Sequence, residues 1–151
     1  MKFDHPISDG EHVYLSNGGH HQRSHGVAML YNRGNMEFRF KKKNGQEWRA
    51  TSNNILPGRW YHVLATWESN QGLMLYVNGD LVDNTVAPVV RASLLGESIE
   101  FNDFLIGRPN DNSHSADRRP ISVDEFNFWS DFKTPEEVRE AGLETNNDIS
   151  E

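Results

Sequence analysis

The polar run Arg108-Pro109-Asn110-Asp111-Asn112-Ser113-His114-Ser115-Ala116-Asp117-Arg118-Arg119 holds the densest set of groups able to bind an ion or a ligand. Calcium takes six to eight oxygen ligands. Asn110, Asp111 and Asn112 offer side-chain oxygens, and Asp103 adds a carboxylate just upstream. That is fewer oxygens than a full shell, so calcium is optional in this reading. Asn112, His114 and Arg118 are candidates for hydrogen bonds to a ligand. The bland alternative is a solvated loop, because the same residue types are the common turn-formers.

A second candidate is Asn17-Gly18-Gly19-His20-His21-Gln22-Arg23-Ser24-His25, which carries three of the seven histidines. Neutral imidazoles ligate zinc, nickel or copper. His21 and His25 have the spacing of one helix face, but the glycines indicate a loop, and no nearby carboxylate completes a ligand set. The expectation is a flexible loop near a ligand rim.

Trp48 is a third. If Asn44-Gly45 makes a two-residue turn, Lys41 pairs with Trp48 and Phe40 with Arg49. Cross-strand partners share a face, so Trp48 would stand outside with Arg39 and Lys41, ready to stack on a sugar ring or a partner protein. A one-residue bulge instead turns Trp48 into the core. Both outcomes are open from sequence.

Catalytic patterns are not found. Asp124 and Glu125 are adjacent, so on a strand they face opposite sides, whereas retaining glycosidases need two carboxyl groups about 5 Å apart on one side. No Gly-x-Ser-x-Gly elbow, His-Glu-x-x-His or phosphate loop occurs. Without cysteine there is no disulfide, thiolate nucleophile or zinc–sulfur site.

The elements that must position these residues are mostly strands. Met36–Lys42 alternates apolar and polar side chains, the period-2 mark of a half-buried strand. Asn44-Gly45 then leads into Gln46–Thr51, and Leu73–Val77, Asn78-Gly79 and Asp80–Val82 repeat the hairpin device. Leu73–Val77 is apolar on both faces and so belongs in the middle of a sheet. Further strands are expected at His12–Ser16, Val27–Tyr31, Trp60–Trp67, Phe104–Gly107 and Ile121–Trp129. Trp60, Trp67, Phe126, Phe128 and Trp129 are expected in the core. One helix is expected, capped by Thr134 with Pro135 at its first position and Glu137 closing a capping box, running to about Ala141 before Gly142. The spacing of strands and turns indicates an all-β antiparallel sandwich or barrel with one short C-terminal helix. The domain is expected to span residues 1–143, followed by a polar tail, Glu144–Glu151.

Four stretches carry a resemblance. Gly58-Arg59-Trp60-Tyr61-His62-Val63-Leu64-Ala65-Thr66-Trp67-Glu68 resembles the W-x-H-V-A-x-T-W strand of laminin-G-like and pentraxin-like domains. Gly72–Val82, with Tyr76-Val77-Asn78-Gly79, resembles their Y-V-N-G hairpin. Phe104-Leu105-Ile106-Gly107 is similar to their strand ending in glycine. Val123–Trp129 followed by Thr134–Val138 is similar to their closing strand and short helix. The resemblance implies a concanavalin A-like jelly roll with binding sites on rim loops or a sheet face. It also implies further strands ahead of His12–Ser16, rearranged, missing here or supplied by another chain. In pentraxins the loop after this glycine supplies calcium oxygens; Asn110 and Asp111 match an amide and an acid of that motif. Pro109 stands where a glutamate is expected, and the Asp-Asn pair of the other half falls at Ser24-His25 and is lost.

With 151 residues the chain suits one domain, and its net charge of −7 argues against a general nucleic-acid binder, which needs a basic face. No apolar run approaches the ~20 residues of a membrane span, and no secretion signal is recognisable at the start. The expected function is non-catalytic recognition or adhesion: a glycan or protein ligand bound by rim loops or a sheet face, within a larger extracellular or cell-surface protein. Missing cysteines and Asn-x-Ser/Thr sites keep an intracellular scaffolding domain open as an alternative. A hydrolase of the same fold is the third reading. Oligomeric state is not legible.

Overall fold

Alternation in the sequence becomes pairing in the structure. The computed structural model describes residues 1–4, 11–32, 34–90, 99–101, 103–108 and 120–140. Among them the strands are β1 (Lys2–Phe3), β2 (Glu11–Ser16), β3 (Gly26–Asn32), β4 (Asn35–Lys41), β5 (Gln46–Ser52), β6 (Val63–Glu68), β7 (Gly72–Val77), β8 (Asp80–Thr85), β9 (Val89–Val90), β10 (Leu105–Ile106) and β11 (Ile121–Ser122). Residues 135–140 form a helix, α1.

Six strands in the order β10-β2-β3-β4-β5-β9 make one sheet, and β6-β7-β8 make the other. β1 pairs antiparallel with β11, and Lys2 also bridges Trp60. The first residues therefore add a strand ahead of β2, inserted between Trp60 and Ile121–Ser122. The inner faces meet in a core of Tyr14, Met29, Tyr31, Met36, Trp48, Ala50, Leu73 and Leu75. This is the antiparallel β-sandwich that the strand pattern predicts, with its short helix at the C-terminal end.

β7 is buried at every position because both its faces are covered. Leu73, Leu75 and Val77 enter the main core, while Met74 and Tyr76 join Leu64 and Val138 in a second cluster beneath α1. The capping box forms as expected: the Thr134 N–H donates to Glu137 Oε2 at 2.8 Å, and the Glu137 N–H donates to Thr134 Oγ1 at 3.3 Å. α1 thus begins at the point that delivers Val138 onto the sheet. The expected end of the helix and the tail Glu144–Glu151 lie outside the described residues.

Two expectations need correction. Among the described residues the expected closing strand Ile121–Trp129 is paired only at Ile121–Ser122, and Glu125 further on adopts a left-handed φ of 50° that interrupts an extended run. Consequently Phe126, Phe128 and Trp129 are not core residues. They are exposed, as is Trp60, while Trp67 packs against the main core.

Candidate functional site

The two Asn-Gly pairs make different turns. Asn78 and Gly79 both have positive φ, 53° and 84°, and Val77 pairs with Asp80, which is the two-residue type I′ hairpin. At Asn44-Gly45 only the glycine has positive φ. The Gly45 N–H bonds to the Lys42 carbonyl at 3.1 Å and the Lys42 N–H to the Gln46 carbonyl at 2.9 Å. This is a three-residue loop closed by a glycine bulge, and it shifts the register so that Phe40 pairs with Trp48 and Lys41 with Glu47.

That shift decides where Trp48 goes. It is 3% exposed, its ring stacked on Phe40 and edge-on to Trp67, with Nε1 donating to the Val86 carbonyl at 3.1 Å. Lys42 closes the end of this aromatic group, its Nζ 4.2 Å from the Trp67 ring centroid. The exposed placement of Trp48 is therefore corrected in favour of the bulge alternative: no ligand can stack on it.

Arg39 and Lys41 do lie on the opposite face of β4, but both are buried there. Arg39 bonds Glu11 on β2 at 2.7 Å and also Glu37. Arg49 is paired with Glu37 and Glu47, and Lys41 Nζ lies 3.7 Å from Glu47 Oε2. Three acids and three bases thus alternate across the sheet. Burial opposes the Arg39 charge, but hydrogen bonds and the charges of Glu11 and Glu37 outweigh it and hold the guanidinium above its ordinary pKa. Neither cation is presented to a ligand.

The Asn17–His25 segment is tied to its neighbours at several points. Lys41 Nζ donates to the His21 carbonyl at 3.0 Å, Ser24 bridges Ile99, and the rings of His20 and His21 meet Phe101. Gly19 is required here, since a Cβ would come within 2.6 Å of the Val27 backbone. Ser16 Oγ and His20 Nδ1 are 2.5 Å apart, and the Arg23 N–H donates to His21 Nδ1 at 3.1 Å. Among the described residues no group of three or more histidines, aspartates or glutamates is placed to hold a metal ion.

β10 carries the polar loop. It pairs with β2, and the Gly107 N–H bonds to the Tyr14 carbonyl at 2.7 Å with φ 81°, turning the chain off the sheet edge. Asp103 is exposed just before β10. The polar run begins at Arg108, on the other side of β10 in the sequence. Asn110, Asp111, Asn112, His114 and Arg118 lie outside the described residues.

His62 and Asn78 join the remaining family-like stretches. The His62 N–H donates to Asn78 Oδ1 at 3.0 Å, and the Asn78 N–H to the His62 carbonyl at 2.8 Å. Partial burial, followed by the nearby amino terminus, holds the His62 imidazole below its ordinary pKa. Asp124 and Glu125 are both exposed beyond β11. Phe126 and Phe128 stand on Phe104, with centroids 5.4 and 6.4 Å away. A sequence signal for their exposure exists: Phe126, Phe128 and Trp129 occupy both parities of the run, so one flat core face cannot take them all.

The sequence profile described as the concanavalin A-like lectin/glucanases superfamily, of laminin G type, matches residues 2–139. The chain belongs to that superfamily. It is similar to pentraxin-related protein PTX3 of Mus musculus, 33% identical over 105 residues, which is 65% of this chain and 27% of that protein. It is also similar to adhesion G-protein coupled receptor D1 of Homo sapiens, 35% identical over 113 residues, 74% of this chain and 12% of the receptor. The superfamily chain thus spans about a quarter or less of these relatives. Among solved structures, an S-layer domain-containing protein from Clostridium thermocellum aligns over 94% of this chain and 68% of its own, at 18% identity and a TM-score of 0.43, too low to carry an argument. No helix among the described residues is long and apolar enough to cross a membrane.

Proposed function

We propose that this concanavalin A-like domain is a non-catalytic recognition or adhesion module within a larger extracellular or cell-surface protein, and that it binds a glycan or protein ligand at the loop following Gly107. The relatives, one pentraxin-related and one an adhesion receptor, support the general class. The observation that carries the location is the burial of Trp48, Arg39 and Lys41. With the sheet-face candidates engaged inside the fold, the polar run Arg108–Arg119 is the remaining candidate set for the ligand. Asn112, His114 and Arg118 are its hydrogen-bonding members.

Calcium, where it takes part, is held by Asn110 and Asp111. Asp103, on the other side of β10 in the sequence, is the third oxygen donor of the set. The test is binding of the purified domain to an array of glycans and extracellular proteins. Wild type binds a defined ligand, and Arg118→Ala or His114→Ala lowers that binding while leaving the fold intact. Retention of full affinity by both variants overturns the location.

A further inference from the structure

We propose that the aromatic strip Phe126–Trp129 is a self-association surface, where a second copy of this chain docks about a twofold axis. The strip stands on Phe104, next to the edge strand β10, and the chain that follows it reaches β6, the edge of the other sheet, where the Lys133 N–H donates to Thr66 Oγ1 at 3.3 Å. Phe126, Phe128 and Trp129 are 46%, 76% and 49% exposed.

Aromatic side chains carry ~150–250 Å² each, so these three rings expose on the order of 300 Å². A specific interface buries about 800 Å² per partner, a little over half of it apolar. The strip therefore supplies most of the apolar share that a modest dimer needs.

Charge favours a second copy as the occupant. A twofold interface must be complementary to itself, and both signs are present: Lys133, which also pairs with Glu137 at 3.5 Å, lies 5.8 Å over the Trp129 ring, while Asp124, Glu125 and Asp131 are exposed along the same segment. The other exposed apolar side, Leu81, Val82, Val86, Val89 and Val90, fits less well. The charged residues of β8 are all acids, Asp80 and Asp83, which would repel their own copies across an axis. That edge is also partly closed, since Asp83 Oδ2 accepts from the Thr51 N–H and Thr85 Oγ1 donates to the Arg49 carbonyl. Valine is moreover under-represented among residues that dominate binding, unlike tryptophan.

The test is sedimentation equilibrium of the whole chain over a wide concentration range, with Phe128→Glu and Val90→Glu compared. The weight-average mass of wild type and Val90→Glu should rise with concentration from 17.3 kDa towards twice that value. Phe128→Glu should stay at the monomer mass with an unchanged melting temperature, since the ring is largely in solvent. A wild type that stays monomeric throughout overturns the proposal. So does a Phe128→Glu variant that associates as wild type does.

Discussion

Phe40 and Trp48 sit directly opposite each other on β4 and β5, their rings stacked with centroids 5.7 Å apart and planes 25° apart. One residue in the Asn44-Gly45 turn separates this arrangement from one with Trp48 outside. Burying a tryptophan is worth several kcal/mol, far more than the small differences between turn types. The core therefore selects the turn.

Replacing Trp48 with alanine should cost about 3–5 kcal/mol, as expected for a large core aromatic. Phe40, Trp67 and Val86 would all lose a partner. Urea unfolding gives the value; a change below about 1 kcal/mol would show that Trp48 is not packed as described.

The two asparagines ahead of glycine should behave differently. Asn78→Ala loses the hydrogen bond from the His62 N–H and, with it, asparagine's greater tolerance of a positive φ, together about 2 kcal/mol. Asn44→Ala keeps an ordinary φ and loses only exposed bonds to Gln46, so it should cost under ~1 kcal/mol. Comparing their midpoints in denaturant checks the order.

The buried charges on β4 and β5 should be coupled. Glu47→Leu removes the carboxylate paired with both Lys41 and Arg49 and should destabilise by about 3–5 kcal/mol. Adding Lys41→Met should recover part of that loss, because the buried cation goes too. A double-mutant cycle measures the coupling; strict additivity would mean that the two side chains act independently.

The capping box makes the start of α1 sensitive to acid. Hydrogen bonds from Thr134, first from its backbone N–H, hold the Glu137 carboxyl below its ordinary value of 4.5. A depressed folded-state pKa stabilises the fold fully above the unfolded value, and that contribution is lost as pH falls through the folded value. The melting temperature of wild type should therefore fall more steeply than that of Glu137→Gln below pH ~4.5. Parallel curves would remove Glu137 from the account.

Calcium can be tested without knowing the ligand. A species bound only by the folded state stabilises by ~2.7 kcal/mol at a hundredfold excess over Kd. Chelator-treated protein should melt higher in millimolar calcium, and Asp111→Ala should abolish the shift. An unchanged melting temperature in wild type would leave the loop to act without a metal.

Much of the sandwich was legible because period-2 runs such as Met36–Lys41 and the doubly apolar Leu73–Val77 report directly on which faces are buried. The start of α1 was legible because its capping residues are contiguous. The position of Trp48 was not, since one dipeptide supports two turns and the choice lies with distant core residues. The charged face of β4 reads in sequence as a solvent face. Its burial depends on Glu11, 28 residues from Arg39, meeting it across β3. The exposed strip Phe126–Trp129 was missed for the opposite reason: aromatic residues near a strand pattern read as core, although their occupying both parities of the run was a signal against it.

The most direct measurement of the central claim is ligand binding by three proteins on one array: wild type, Arg118→Ala in the loop after Gly107, and Trp48→Phe inside the sandwich. Recognition at the loop predicts that Arg118→Ala loses the ligand wild type binds, while Trp48→Phe keeps it at some cost in stability. Loss of binding in Trp48→Phe with full retention in Arg118→Ala would contradict the account and return recognition to the sheet.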